Sequence, residues 1–284
     1  MRNGVLEKGR ESPRGAGRLN MNSFRLYLRF LGASVKSQMQ YRWSILLQII
    51  GMFLVTGIEF FGLFALFDRF GELNGWSLPE AALFYGFINA VFAVADALTR
   101  GFDTVSQHVR MGTFDRFLLR PRSTALQMFG FEFTLRRAGR FIQGAAVFAW
   151  GWLKCSHGPG GLIAMALAFP SAIALFSGVI IVGGSVTFWT VESMEAMNIL
   201  TYGGVQTGMY PLSVYRKWIQ NFFVYFVPIG LVTYFPICAA LLRDPFPGVP
   251  YWTGYLTPLA GPFFLAAAMI IWRFGVRHYS STGN

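Results

Sequence analysis

The chain has 284 residues, of which 54% are hydrophobic and only 13% are charged, and its mean hydropathy is +0.45. Soluble domains contain about 25% charged residues, so this composition excludes an ordinary water-soluble globular protein and indicates a protein of the lipid bilayer. The net charge is +11 at pH 7. Because no polar domain concentrates this charge, it argues against nucleic-acid binding and favours contact with lipid headgroups.

The first 20 residues, MRNGVLEKGRESPRGAGRLN, are rich in glycine and arginine and show no hydrophobic periodicity. We therefore predict a disordered basic extension over residues 1–20 and a transmembrane domain over residues 21–284. Because the patterned sequence begins at Met21, both Met1 and Met21 are candidate start residues. The first apolar run begins only at Trp43 and has full transmembrane length, which is not the pattern of a cleaved signal peptide.

A helix lying in the membrane interface is predicted over Met21–Arg42. Its apolar side chains recur at helical spacing: Phe24, Tyr27, Leu28, Leu31 and Val35. Its basic side chains fall on the other side: Arg25, Arg29 and Lys36. The alternative interpretation of this segment is a solvated basic flank to the first membrane span.

Six apolar runs are long enough to cross the hydrocarbon core, which takes about 20 residues per helix. They comprise residues 43–67, 81–98, 138–155, 162–190, 218–242 and 255–274. The fourth run contains Pro170 and is overlong, so we expect it to tilt, kink or extend beyond the membrane. The fifth and sixth runs contain two prolines each, which indicates kinks or a broken, re-entrant segment. The predicted fold class is an all-α polytopic membrane protein with six transmembrane helices and an N-terminal interfacial helix.

Lysine and arginine residues are divided unequally between the predicted loops. With the N-terminus inside, 21 of the 24 basic residues lie on the inner side, Arg216 and Lys217 among them. The three on the outer side are Arg69, Lys154 and Arg243. Since basic residues accumulate in cytoplasmic loops, this distribution predicts that both termini are cytoplasmic.

The largest predicted inner loop, residues 99–134, contains the segment RMGTFDRFLLRP at positions 110–121. Asp103 is placed at a predicted helix start and Gly112 at its end. The predicted helix has an apolar and a polar side, formed by Val105, Val109 and Met111 and by Gln107, His108 and Arg110. A second apolar group follows, made of Phe114, Phe117, Leu118 and Leu119, before Arg120 and Pro121. Such an amphipathic segment, tied to two spans, is suited to transmitting a push from a soluble partner; the alternative is a plain connector.

Several stretches of the chain resemble a bacterial family of ABC transporter permeases of the type-2 exporter class. They are FRLYLRFLGASVKSQMQYRWSILLQ near the N-terminus, VRMGTFDRFLLRPRS in the inner loop, YPLSVYRKWIQNFFVYFVPIGLVTYFP, and the C-terminal WRFGVRHYSSTGN. The resemblance covers the chain from about Met21 to its end, in several patches of moderate specificity. None of them contains catalytic chemistry.

The resemblance implies that residues from Asp103 to Leu119 form a coupling helix that contacts an ATPase. The candidate coupling residues are Asp103, Val105, His108, Val109, Arg110, Met111, Phe114, Asp115, Arg116, Phe117 and Leu118. It also implies two cytoplasmic ATPase subunits, a second permease subunit, identical or homologous, and a location in the bacterial cytoplasmic membrane. ATP and Mg²⁺ are expected in the ATPase, and no cofactor or metal in this chain. Aromatic and aliphatic spans favour an amphipathic or lipid-like cargo.

Acidic residues inside predicted spans are candidates for a pathway or for intramembrane pairing, because an unpaired charge in the membrane is costly. Glu59 lies inside the first span and either faces a translocation path or meets a partner on another helix. Asp96 is four residues before Arg100, which predicts a local ion pair. Glu192 and Glu195 are predicted to pair with Arg216 and Lys217.

The sequence contains no motif of catalytic chemistry. No G-x-x-x-x-G-K-[ST] phosphate loop, H-E-x-x-H or G-x-S-x-G motif occurs. The three histidines are scattered, and the two cysteines are too few to indicate zinc or an obligate disulfide. We therefore expect no enzyme activity in this chain. Two alternatives to the ABC permease are an ion-coupled secondary transporter that uses Glu59 or Asp96, and a membrane scaffold without transport activity.

Overall fold

The computed structural model describes residues 23–190 and 194–280. Within these ranges the chain folds into helices joined by short connections, and no strand is formed. The prediction of an all-α protein is therefore confirmed. The predicted basic extension, residues 1–20, lies outside the described residues.

The helices of the described ranges are named here in chain order. They are α1 (Ser23–Gln38), α2 (Arg42–Phe70), α3 (Leu78–Asp103), α4 (Val105–Arg110), α5 (Asp115–Leu118), α6 (Thr124–Phe131), α7 (Ala138–Lys154), α8 (Gly161–Val186), α9 (Met194–Gly208), α10 (Lys217–Asn221), α11 (Ile229–Val232), α12 (Tyr234–Ala240) and α13 (Ala260–His278). A π-helical turn, Phe222–Phe226, continues α10. Short 3-10 turns join α1 to α2 at Met39–Tyr41 and precede α13 at Tyr251–Tyr255 and Thr257–Leu259.

Helix α3 is the central helix, since every residue from Ala81 to Ala97 except Val94 is buried. It begins where the carboxylate of Glu80 accepts hydrogen bonds from the backbone N–H and the hydroxyl of Ser77, both at 2.8 Å. These bonds satisfy groups that a helix start otherwise leaves unpaired. At about 1.5 Å per residue the helix is roughly 39 Å long, which exceeds the thickness of the hydrocarbon core.

Glycines allow α7 to approach α3 closely. A Cβ atom added to Gly144 of α7 would lie 2.8 Å from the backbone nitrogen of Ala90 on α3. Gly86 of α3 faces the backbone of Phe148 on α7 in the same way. The two backbones therefore meet with no side chain between them, as in other small-residue contacts of membrane helices.

The two ends of α3 define the two ends of the molecule. We call the end with Leu78 and the preceding turn, residues 71–77, the far end. We call the end with Asp103 and the following connection, residues 104–123, the loop end. Helices α7 and α8 also run between these ends. Gly151, late in α7, lies against the far end, and Gly184, late in α8, lies against the loop end.

Helix α9 runs from the loop end towards the far end. Near its start, Met197 lies against Gly183 of α8. After the helix, Ser213 accepts a hydrogen bond of 2.9 Å from the indole nitrogen of Trp76 at the far end. The sequence placed this segment in an inner link between the fourth and fifth predicted spans, whereas in the structure it runs between the two ends of the molecule. The helix is short and only weakly apolar, so hydropathy did not reveal that it traverses the molecule.

Residues 218–242, the predicted fifth span, do not form one continuous helix. The axis bends by 75° between Lys217–Phe226 and Ile229–Ala240. The segment follows Ser213 and precedes Arg243, whose guanidinium donates to the carbonyl oxygen of Gly75 at 3.0 Å. Both flanks therefore lie at the far end, and the segment is a re-entrant hairpin. The sequence predicted a broken or re-entrant segment from the internal prolines, and the 75° bend agrees with this; whether the segment crosses the membrane stays a prediction.

Within the described ranges the chain thus passes between the two ends six times, through α2, α3, α7, α8, α9 and α13. Four stretches of the described chain are long and apolar enough to cross a bilayer on their own: Leu31–Phe70, Leu78–Arg110, Gly161–Val186 and Tyr251–His278. Helix α7 has 17 residues and α9 has 15. The number of membrane crossings stays a prediction.

The hairpin changes where two basic residues lie. Arg216 and Lys217 belong to the far end, which leaves 19 of the 24 basic residues at the loop end or in the N-terminal segment. The bias that predicts a cytoplasmic loop end is retained. The side chains of Glu192 and Glu195 lie outside the described part of the structure, so their predicted pairing with Arg216 and Lys217 stays a prediction.

Candidate coupling surface

The connection from α3 to α4 differs from the prediction at Asp103. This residue was expected to start a helix, but it is the last residue of α3. Its carboxylate forms an ion pair of 2.9 Å with Arg100, one turn earlier. The hydroxyl of Thr104 donates to the carbonyl oxygen of Gly101 at 2.8 Å, and α4 begins at the next residue.

Gly112 ends α4, as its sequence position indicated. Its φ angle is +64°, a left-handed conformation that glycine adopts without a steric penalty. The N–H group of Met111 donates to the carbonyl oxygen of Gln107, and that of Thr113 to the carbonyl oxygen of His108, both at 3.0 Å. The chain then turns directly into α5.

The inner side of the loop is anchored by Phe114, whose side chain is fully buried. Its ring centroid lies 5.0 Å from that of Phe188, just after α8, and 5.1 Å from that of Tyr279, just after α13. The Trp272 ring of α13 lies 6.4 Å away. Edge-to-face contacts at these distances stabilise aromatic clusters beyond the burial of area alone. Phe114 therefore ties the loop to the ends of two long helices.

A second anchor is Phe117 of α5, which is 5% exposed. Its ring packs 5.2 Å from the imidazole of His108 and 5.4 Å from the ring of Phe131. The side-chain amide of Gln127 donates to the Phe117 carbonyl oxygen at 2.9 Å. These contacts hold α4, α5 and α6 together as one unit.

The outer side of the loop carries exposed apolar and basic side chains. Leu119 is 85% exposed, Met111 51% and Leu118 43%. Four arginines of the loop are exposed as well: Arg110, Arg116, Arg120 and Arg122. We call the exposed residues from Arg110 to Arg122 the coupling surface. An exposed patch that combines apolar tips with guanidinium groups is typical of protein interfaces.

The structure divides the predicted coupling residues into two sets. Residues that point inward and fix the loop are Val105, Val109, Phe114 and Phe117, with His108 and Asp115 partly buried. Residues that are exposed are Arg110, Met111, Arg116 and Leu118. Sequence analysis assigned Met111 to the buried side of the helix, and the structure corrects this. Leu119, the last residue of the predicted coupling segment, and Arg120, which lies just outside it, are exposed as well.

Helix α1 packs beside this loop region. The hydroxyl of Ser34 donates to the carbonyl oxygen of Phe133 at 3.2 Å, and the N–H of Leu135 donates to the side-chain oxygen of Gln38 at 3.0 Å. Tyr279 contacts the loop from the other terminus. The described parts of both termini therefore lie at the loop end, and the cytoplasmic location of this end stays a prediction.

Asp96 forms a buried ion pair with Arg137, at 2.6 Å between Oδ2 and Nε. The predicted partner, Arg100, is bound to Asp103 instead. Beside this pair, the Nε of Arg140 donates to the side-chain oxygen of Asn89 at 2.7 Å, and its guanidinium lies 4.8 Å from the Phe92 ring centroid. Helices α3 and α7 thus share a buried polar cluster.

Glu59 is exposed on the outer side of α2. Its carboxylate interacts electrostatically with the hydroxyl of Tyr85 and with the buried guanidinium of Arg140. No ion pair within 4 Å joins Glu59 to a basic residue of the described chain. The structure therefore brings Glu59 near the buried cluster of α3 and α7 but leaves its side chain accessible.

Residues 53–283 match the model of the ABC-2 family transporter proteins. The match covers most of the chain, which therefore belongs to this family and is a multi-pass membrane permease component of an ABC transporter. No curated protein matches the chain, and no solved structure does.

Proposed function

We propose that the chain is the membrane subunit of an ABC exporter that is driven by a separate cytoplasmic ATPase. In this proposal two ATPase subunits bind ATP and Mg²⁺ and act on a pair of permease subunits, identical or homologous, in a bacterial cytoplasmic membrane. The permease has no phosphate loop of its own. The ATPase supplies the differential binding energy that shifts the permease between its conformations.

The observation that carries this proposal is the two-sided construction of the loop 104–123. Its outer side exposes Leu119 and Arg116, while its inner side is anchored through Phe114 to the ends of α8 and α13. A partner that displaces the coupling surface therefore moves the long helices, because tightly packed aromatic contacts transmit displacement with little compression. A plain connector would not need both properties.

The cargo in this proposal is amphipathic or lipid-like. Helix α2 exposes large apolar side chains along most of its length, including Leu47, Ile58 and Phe61, each at least 69% exposed. Such a surface suits a cargo with substantial apolar area. An ion-coupled mechanism is not favoured, because Asp96, one of its two proposed proton carriers, is engaged by Arg137.

The test is to purify the chain with its native neighbours, ask whether an ATPase co-elutes, and measure ATP hydrolysis with and without the permease. We expect the two proteins to co-elute and the permease to raise the hydrolysis rate. Leu119→Glu and Arg116→Glu should each abolish most of this stimulation, because they place negative charge on the coupling surface. Substituting Phe117 is less informative, since its buried ring supports the fold of the loop.

Leu153→Glu is the matched control. Leu153 is 83% exposed, close to the 85% of Leu119, but it lies at the far end of α7. Stimulation should be unchanged in this variant. If Leu119→Glu and Arg116→Glu retain full stimulation while folding normally, the coupling surface lies elsewhere. If no ATPase co-elutes, the proposed function is wrong.

A further inference from the structure

We propose that Glu59 forms part of a binding site for the cationic group of an amphipathic cargo. The inference rests on the proposed transport function and adds the charge class of the cargo. Three observations support it: the exposed carboxylate of Glu59 on α2, the aromatic side chains near it, and the absence of an ion pair between Glu59 and a basic residue of the described chain.

Glu59 lies close to the middle of a long membrane helix. Helix α2 has 29 residues and its midpoint is Thr56, so Glu59 is three residues, or about 4.5 Å, beyond the midpoint. Val55, one turn earlier on the same side of the helix, is 54% exposed. A carboxylate on such a face is costly if it meets only hydrocarbon, and charged residues inside membranes normally face water, a partner or a ligand.

The chain offers Glu59 no direct counter-ion among its described residues. Arg140 is near enough to attract it, but this side chain is 7% exposed and its Nε is bonded to Asn89. No other basic residue of the described chain lies within ion-pair distance of Glu59. The missing positive charge is therefore assigned to a ligand.

An aromatic group lies beside Tyr85, whose hydroxyl interacts with the Glu59 carboxylate. The ring of Phe60 packs 5.4 Å from Tyr85 and 6.3 Å from Trp150. Trp150 is 39% exposed, so part of this aromatic group is accessible from outside. Aromatic faces attract cations, and a carboxylate beside them adds charge complementarity. The chemical class that fits is a lipophilic cation, such as an amphipathic amine or an onium ion.

The test compares two probes of the same shape and opposite charge, tetraphenylphosphonium and tetraphenylborate. The full-length permease is placed in nanodiscs of uncharged phosphatidylcholine, and binding is measured by equilibrium dialysis after subtraction of empty nanodiscs. We expect the wild type to bind the cation more tightly than the anion. Glu59→Gln should weaken binding of the cation about tenfold, the order expected for loss of a charge-assisted contact, and leave the anion unchanged.

Two further variants keep the test decisive. Glu59→Asp retains the charge and should keep most of the preference for the cation. Glu72→Gln removes an exposed carboxylate outside the helices, in the turn before α3, and should have no effect. Equal binding of both probes by the wild type overturns the proposal, as does an equal loss of both probes in Glu59→Gln. Because the assay contains no ATPase, a failure of the coupling proposal leaves its result unaffected.

Discussion

The pair formed by Asp96 and Arg137 shows how two charges are accommodated inside the helix bundle. Both residues are more than nine-tenths buried, and their side chains meet at 2.6 Å. Moving two ions out of water is costly, and their attraction compensates for this cost only while both are present. The pair therefore contributes more to the mutual position of α3 and α7 than to net stability.

Removal of one partner should be much more harmful than removal of both. We expect Asp96→Asn to destabilise the protein by about 3–5 kcal/mol, because it leaves Arg137 as an uncompensated buried charge. The double variant Asp96→Asn, Arg137→Gln should recover a large part of this loss. Thermal unfolding of the purified single and double variants measures the coupling. Additive effects in this cycle would show that the two side chains do not interact.

For individual residues, the sequence identified the charged side chains inside the helices but not always their ion-pair partners. The i, i+4 spacing predicted a pair between Asp96 and Arg100, yet Arg100 binds Asp103 and Asp96 binds a residue 41 positions away. Local spacing does not reveal such a partner, because it is set by the packing of α7 against α3. Burial of Phe114 and exposure of Leu119 were equally unavailable from the apolar pattern alone.

At the scale of elements, the contact of α3 with α7 depends on glycine. A Cβ atom on Gly144 would lie 2.8 Å from the backbone nitrogen of Ala90, and the backbone cannot move aside as a side chain would. We expect Gly144→Ala to destabilise the protein by about 1–3 kcal/mol, the usual cost of overpacking. The measurement is the midpoint of thermal unfolding of the purified protein.

Gly57→Ala is the matched control on α2, since a Cβ atom at Gly57 meets nothing within 4 Å. This substitution should leave stability unchanged or raise it by up to about 1 kcal/mol, the difference in helix propensity between the two residues. If the two variants behave alike, close approach of the backbones is not what Gly144 provides.

The long helices could be predicted well from the sequence, but the path of residues 194–242 between the two ends of the molecule could not. Hydropathy located α2, α3, α7 and α8 because each is a nearly continuous apolar run. Hydropathy predicted a span at residues 218–242 and none at α9. A hairpin buried in protein needs apolar residues as much as a membrane-crossing helix does, so the two give the same pattern. Only the contacts of the flanking residues with the far end show that the chain bends back near Pro228 and that α9 runs between the two ends.

For the whole molecule, the hairpin makes a specific prediction about sidedness. Arg216→Cys and Leu119→Cys, each in a background without Cys155 and Cys238, should react with a membrane-impermeant maleimide from opposite sides of the membrane. Both positions are exposed. Labelling in intact cells and in inverted vesicles distinguishes the two sides. Reaction of both cysteines from the same side would restore the topology in which residues 218–242 cross the membrane.

The same hairpin also determines whether ions can leak through a single copy of the chain. Its buried residues run from Val232 through Ala240, and Ile229 at its turn packs against Gly204 and Gly208 of α9. The described part of one chain is therefore closed by tightly fitted side chains midway between its two ends. In this conformation a single copy in a planar bilayer should be electrically silent, and in the proposed pair of permease subunits a conduit for cargo is expected at the boundary between them.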